Sequence, residues 1–215
     1  MGLRDCPGYE YAEWDADARP IRLEVELGAR QLRLDDLSVP FRSEHFDNRY
    51  EIRLEDIADR TALELRPRFS LSLHRNLYAG LGVSIGATPR STGETRVPIQ
   101  ARVNSVLTLG GNVFLGVSAA VGRHWQFNGE VAAGVRALIL NIETREGECI
   151  NTLTESFREY QLETRIGFDR WVSPMVTIGG YGGYDALQRE ATFGLRLAVH
   201  NRSFDAQRRA ETTNR

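Results

Sequence analysis

The sequence predicts an all-β fold, an antiparallel up-and-down β-barrel of eight strands, with ten as the alternative count. Three observations carry this: period-two alternation along most of the chain, connections that alternate between tight and long, and a second strand face built from small residues and balanced charges. The stretch "RNLYAGLGVSIG" (75–86) holds the pattern in miniature. Leu77, Ala79, Leu81, Val83 and Ile85 make one face; Tyr78, Gly80, Gly82, Ser84 and Gly86 make the other.

Eight segments read this way. Residues 20–34 set Leu23, Val25 and Leu27 against Arg22, Glu24 and Glu26, and residues 61–73 set Leu63 and Leu65 against Glu64, Arg66 and Arg68. Pro67 cannot donate to a ladder and is expected to mark a bulge. Residues 77–88 follow, then a stretch ending near 122 that alternates Val113, Leu115 and Val117 with Gly116 and Ser118. The fifth segment, 126–143, contributes Glu130 and Arg136, and the sixth, 157–169, contributes Glu159, Glu163 and Arg165. The seventh, 173–184, is glycine-rich, and the eighth, 189–203, sets Phe193, Leu195 and Leu197 against Glu190, Thr192 and Arg196.

Tight turns are expected around 74–76, 123–125 and 170–172, and longer polar loops at 35–60, 89–106 and 144–156, with a shorter one near 185–188. Short turns at one end and long loops at the other is the pattern of transmembrane barrels. Two further stretches alternate and would raise the count to ten: 97–109, followed by the hairpin-like Gly110-Gly111-Asn112, and "RYEIRLE" (49–55). Unbroken apolar parity from Leu107 through Val117 favours one long strand there, and so eight.

The polar face decides which side is inside. A water-facing sheet has little use for so many Gly and Ala positions, which weaken strands and cover nothing, whereas a crowded lumen needs them. Seven arginines (Arg22, Arg30, Arg66, Arg68, Arg136, Arg165, Arg196) and seven glutamates (Glu24, Glu26, Glu64, Glu130, Glu159, Glu163, Glu190) share this face. Such charges can be enclosed only as pairs, and Arg forks meet carboxylates bidentately, so the set is expected to form a lumen ion-pair network. Trp125, Phe127, Trp171 and Phe204 lie near the turns and are expected as interface aromatics.

At this point the chain resembles the small eight-stranded outer-membrane barrels of the OmpA/OmpX-like class. The resemblance covers roughly 20–204 and is carried by phrases such as "YAGLGVSIG" and by a last strand reaching Phe204; the eleven residues "DAQRRAETTNR" that follow depart from it. It implies a barrel domain at 20–204, a periplasmic segment at 1–19, a C-terminal tail at 205–215, residence in the bacterial outer membrane and outer-membrane lipid as a partner.

Composition excludes several other classes. With 26% charged residues and a net charge of −2, nothing suggests a nucleic-acid partner. All 27 basic residues are Arg, which suits bidentate carboxylate pairing as well as a GC-rich coding sequence. No apolar run approaches the roughly 20 residues a helical span needs. The start, "MGLRDCPGYE", lacks a signal peptide, so the numbered chain reads either as cytosolic or as a mature form. Cys6 and Cys149 match no metal spacing and are expected on opposite sides of the membrane, unbridged.

No catalytic residue, metal site or cofactor is expected. His45, His74, His124 and His200 are scattered, Ser203 and His200 point to opposite strand faces, and "GGYGGY" (179–184) opens no helix, so it reads as lumen packing rather than a phosphate cradle. Three functions fit this frame. The first is a non-enzymatic outer-membrane barrel with a plugged lumen, serving as a structural, surface-binding or assembly component with a surface or periplasmic protein partner. The alternatives are a lipocalin-like lipid carrier with its apolar face inward, and an outer-membrane enzyme acting on lipid or peptide.

Overall fold

The computed structural model describes residues 21–34, 37–42, 49–53, 60–74, 76–88, 100–121, 125–146, 149–173 and 175–201. Ten strands run in chain order: β1 (Ile21–Leu32), β2 (Ser38–Arg42), β3 (Arg49–Arg53), β4 (Arg60–His74), β5 (Leu77–Ala87), β6 (Gln100–Val121), β7 (Trp125–Glu146), β8 (Cys149–Ser173), β9 (Val176–Asp185) and β10 (Glu190–Asn201). Eight of them close a barrel in the order β1-β10-β9-β8-β7-β6-β5-β4, and β2 and β3 pair separately as a hairpin between β1 and β4. Closure is antiparallel throughout, with Ile21 opposite Asn201 on one side of β1 and opposite Leu71 on the other.

The count of eight therefore holds for the barrel, and both ambiguous stretches find their place. Gly110-Gly111-Asn112 makes no turn; β6 runs straight through it, paired with β5 and β7. "RYEIRLE" does supply a strand, β3, but one outside the barrel.

Several expectations need correction: the turn placed at 170–172 lies within β8, which runs to Ser173, and the loop placed at 89–106 ends where β6 begins at Gln100. Residues 144–156 are not a polar loop: β7 and β8 stay paired up to Glu146 opposite Cys149. The segment "CINTLTES" lacks an apolar face yet is rich in β-prone Thr and Ile, and cross-strand pairing with β7 makes it a strand. Pro67 marks no bulge. It faces outward, and the β4–β5 register is the same at Leu65 opposite Ile85 as at Arg68 opposite Gly82, so the ladder skips the proline without slipping.

A register shift does occur between Val103 and Ser105 on β6. One extra residue flips side-chain parity, so Ala101 and Val103 point inward above it while Val106 and Thr108 point inward below it. Together with the extended β7–β8 hairpin, this gives the long-loop end a three-stranded sheet standing above the rest of the barrel.

Outward positions carry Leu27, Leu63, Val113, Ile166, Phe193 and Leu195, each about three-fifths exposed or more. Inward positions carry the charges. The lipocalin-like arrangement, with the apolar face lining a cavity, is thus the reverse of the one observed.

Candidate functional site

The lumen is the site, and it is built by parity. On every barrel strand the residues between outward apolar positions project inward, and in a barrel of eight strands the interior is just wide enough for side chains to fill. All seven lumen arginines and all seven glutamates named above lie on this inner side. Two more carboxylates join them, Asp169 and Asp185.

The pairs form one continuous chain along the barrel axis. At the short-turn end Arg22 donates to Glu24 at 2.6 Å and to Asp169 at 3.3 Å, and Arg196 donates to the other Asp169 oxygen at 2.5 Å. Midway, Arg68 bonds Glu26 at 2.8 Å and Glu130 at 2.5 Å, while Arg165 forks onto both Glu26 oxygens at 3.1 and 2.9 Å. Arg165 also donates to Glu163, which accepts from the Thr192 hydroxyl at 2.6 Å. Arg66 binds Glu64, and Arg30 reaches Glu64, Glu163 and Glu190 from its three nitrogens. At the long-loop end Arg136 bonds Glu190 at 2.8 Å and Glu159 at 2.5 Å.

Sharing is the physical point. Taking a charge out of water costs several kcal/mol, and an ion pair offsets this only when its remaining donors and acceptors are also met. Here each guanidinium contacts two or more carboxylates, and each of Glu26, Glu64, Glu130 and Glu163 contacts two or more arginines. Aromatic rings supply further contacts. The Tyr78 hydroxyl donates to Glu130 at 2.8 Å, Arg68 lies 3.8 Å over the Phe114 ring, and Arg165 lies 4.3 Å over Tyr181.

Glycine makes room for these rings. A Cβ on Gly116 would lie 2.3 Å from Tyr78, and one on Gly80 would lie 2.4 Å from Phe114. The small face of "YAGLGVSIG" is thus matched to large neighbours, as lumen packing requires.

Different chemistry flanks the two ends of the network. At the short-turn end the Trp171 ring packs tilted against His200, with centroids 4.4 Å apart and planes at 39°, and His200 Nε2 lies 3.1 Å from the Thr177 hydroxyl. At the long-loop end the inward face of β7 changes from Glu130 and Arg136 to Leu138, Leu140 and Ile142. These three pack with Leu32, Leu34, Val39, Ala62, Ala101, Val103 and Val106, all of them 0–1% exposed. Val39 comes from the β2–β3 hairpin, so this excursion is seated on the outer end of the barrel.

Trp171 is accordingly not an interface aromatic. It shares the parity of Glu163, Arg165 and Asp169, and that parity turns it inward, where it is buried. Trp125 and Phe127 do face outward, and Trp125 stacks on Phe168 at 4.8 Å. Phe204 lies outside the described residues, as do Cys6, His45 and Ser203, whereas Cys149 begins β8 at the long-loop end. Asp169 and Asp185 escaped the sequence reading, although both continue the inward parity of their strands.

No family model matches the chain, and no curated protein matches it. Solved structures do resemble it. Ail, the attachment invasion locus protein of Yersinia pestis, aligns over 85% of this chain and 97% of its own at 12% identity and a TM-score of 0.43. Neisserial surface protein A aligns over 84% and 95% at 10% identity and a TM-score of 0.38. The N-terminal β-barrel domain of Pseudomonas aeruginosa OprF aligns over 85% and 97% at 9% identity and a TM-score of 0.38. No residue role is carried from these proteins to this chain.

Proposed function

We propose that the chain is a non-enzymatic bacterial outer-membrane barrel with a plugged lumen, which anchors a rigid surface module formed by β2, β3 and the outer ends of β6, β7 and β8. One observation carries the reading: the seven arginines and nine carboxylates form a continuous network across a lumen capped by an apolar core. A conducting pore needs a hydrated path, and this lumen offers side chains in its place. The outward apolar band supports insertion into lipid, because large side chains such as Leu195, 69% exposed, would otherwise face water.

Such a barrel holds its outer module at a fixed height and orientation, which suits a structural, surface-binding or assembly role. The test is electrical. Purified protein inserted into planar bilayers is expected to give no stable large conductance, and a steady open level would overturn the plugged reading. The same preparation is expected to aggregate once detergent is removed; a soluble monomer without amphiphile would overturn membrane residence.

A further inference from the structure

The outward face of β8 reads Arg158, Tyr160, Leu162, Thr164, Ile166, Phe168, Arg170, all exposed. Arginine thus brackets it at both ends. At about 3.3 Å per residue the two arginines are roughly 40 Å apart along the strand, and a tilt near 40° leaves about 30 Å along the membrane normal. This is the thickness of a bilayer's hydrocarbon core. Arg170, at the short-turn end, has the Trp125 ring beside it at 5.6 Å. Arg158, at the long-loop end, has no carboxylate partner among the described residues.

The β9–β10 turn is held against β8 at Tyr160 and Leu162, two and four residues from Arg158. Asp185 Oδ1 accepts the backbone N–H groups of Leu162, Leu187 and Gln188, and the Gln188 amide donates to the Tyr160 carbonyl at 3.0 Å. The turn closes with Arg189 at φ 56°, the one non-glycine residue with positive φ among those described. That conformation favours Gly or Asn, so an Arg here is kept against a local conformational cost. Arg189 is exposed and also lacks a carboxylate partner among the described residues. Tyr160 and Tyr184 on the neighbouring strands and Leu187 in the turn are exposed as well, at 65%, 49% and 55%.

We infer that Arg158 and Arg189 together bind the phosphate of an anionic lipid headgroup at the outer rim, with Tyr160 and Leu187 against the upper part of its chains. Two unpaired guanidinium forks on one side of the barrel, at the height where hydrocarbon ends, present the donors a phosphate accepts. The inference rests on the membrane reading above.

The experiment titrates the full chain in phosphatidylcholine mixed micelles with phosphatidic acid, following bound lipid by native mass spectrometry. An arginine near an anionic lipid surface contributes about a fivefold gain in binding. R158Q and R189N are each expected to weaken phosphatidic acid binding by about that factor and the double variant by about 25-fold. Asn relieves the strain at 189, so R189N should melt no lower than wild type, which separates a lost ligand from a lost fold. Undiminished binding by the double variant overturns the inference. So does equal retention of phosphatidylcholine by wild type. Displacement by an equal concentration of inorganic phosphate would show a soluble-phosphate site and overturn the lipid assignment. If the protein stays monomeric and soluble without micelles, the membrane reading itself fails, a result distinct from each of the others.

Discussion

Two cores sit one above the other inside this barrel. Below, the interior is ionic: Arg68, Arg165 and Glu130 meet in a buried layer that, among the described residues, contains hardly an aliphatic side chain. Above, starting two residues beyond Arg136 on the same strand face, Leu138, Leu140 and Ile142 enter a buried apolar cluster. Surroundings explain the difference. The lower section is wrapped in outward apolar residues that leave the interior to take the polar ones, while the upper section is ringed by polar outward residues such as Thr152, Thr154 and Ser156 and follows the ordinary rule of a water-soluble protein. The change from one rule to the other falls near residue 137 of β7, which the proposed membrane reading makes the edge of the bilayer.

Removing one charge from the lower core should give the largest effect. Arg136→Ala leaves Glu190 and Glu159 facing each other without their shared cation, and the expected loss is about 3–5 kcal/mol. Arg145→Ala, on the exposed outer end of the same strand, should cost about 0–1 kcal/mol. Urea midpoints in one detergent compare them directly, and equal midpoints would mean that the charged face is open to water.

The upper core should break differently. Leu140→Ala removes a fully buried side chain and is expected to cost about 2–5 kcal/mol, but the damage should stay above the membrane edge. Limited trypsinolysis is expected to cut faster within 33–59, whose hairpin is seated through Val39, while the barrel fragment stays protected. Loss of protection throughout the chain would show that the two cores unfold as one.

These two regions were unequally legible. The lower one was written in strict period two, so inward charges could be picked out strand by strand, and carrying the same parity two residues further on β8 and β9 reaches Asp169 and Asp185, and two more on β8 reach Trp171. Trp171 was read instead from its residue type, as a girdle aromatic, and type was the weaker guide. The upper core was not legible. "RALILNI" (136–142) is apolar on both faces, so alternation cannot say which side is buried, and the extra residue near Asn104 reverses parity on β6 with no glycine or proline to announce it. Strand 149–156 was hidden for a related reason: its inward positions read Asn151, Leu153 and Glu155, so only one apolar residue marks the face that packs, and there is no apolar rhythm to read.

A smaller effect tests how tightly the lower core is filled. Gly116→Ala pushes a methyl group into the Tyr78 ring and should cost about 1–3 kcal/mol. Because Tyr78 also donates to Glu130, Tyr78→Ala is destabilising by itself. In the Tyr78→Ala background, however, the added methyl at 116 should cost far less, so a double-mutant cycle by urea unfolding should show strong coupling. Additive effects would mean that the lumen yields to the methyl group without needing the ring to move.

The smallest energetic effect sits on the outer wall and separates inside from outside most directly. Trp125 faces outward with Phe168 stacked on it and Arg170 nearby, whereas Trp171 is buried against His200. Arg170→Gln removes one exposed cation–π contact and should cost about 0.5–1 kcal/mol. Bilayer contact should distinguish the two indoles far more sharply than stability does. In vesicles containing brominated phosphatidylcholine, bromine quenches the indoles it can approach. Trp125→Phe should remove most of the lipid-dependent quenching, while Trp171→Phe, whose missing ring had no lipid contact, should leave it in place. Quenching that instead disappears with Trp171 would put that ring on the lipid side and overturn the inward parity of β8, and with it the placement of Asp169 and Arg165 in the lumen.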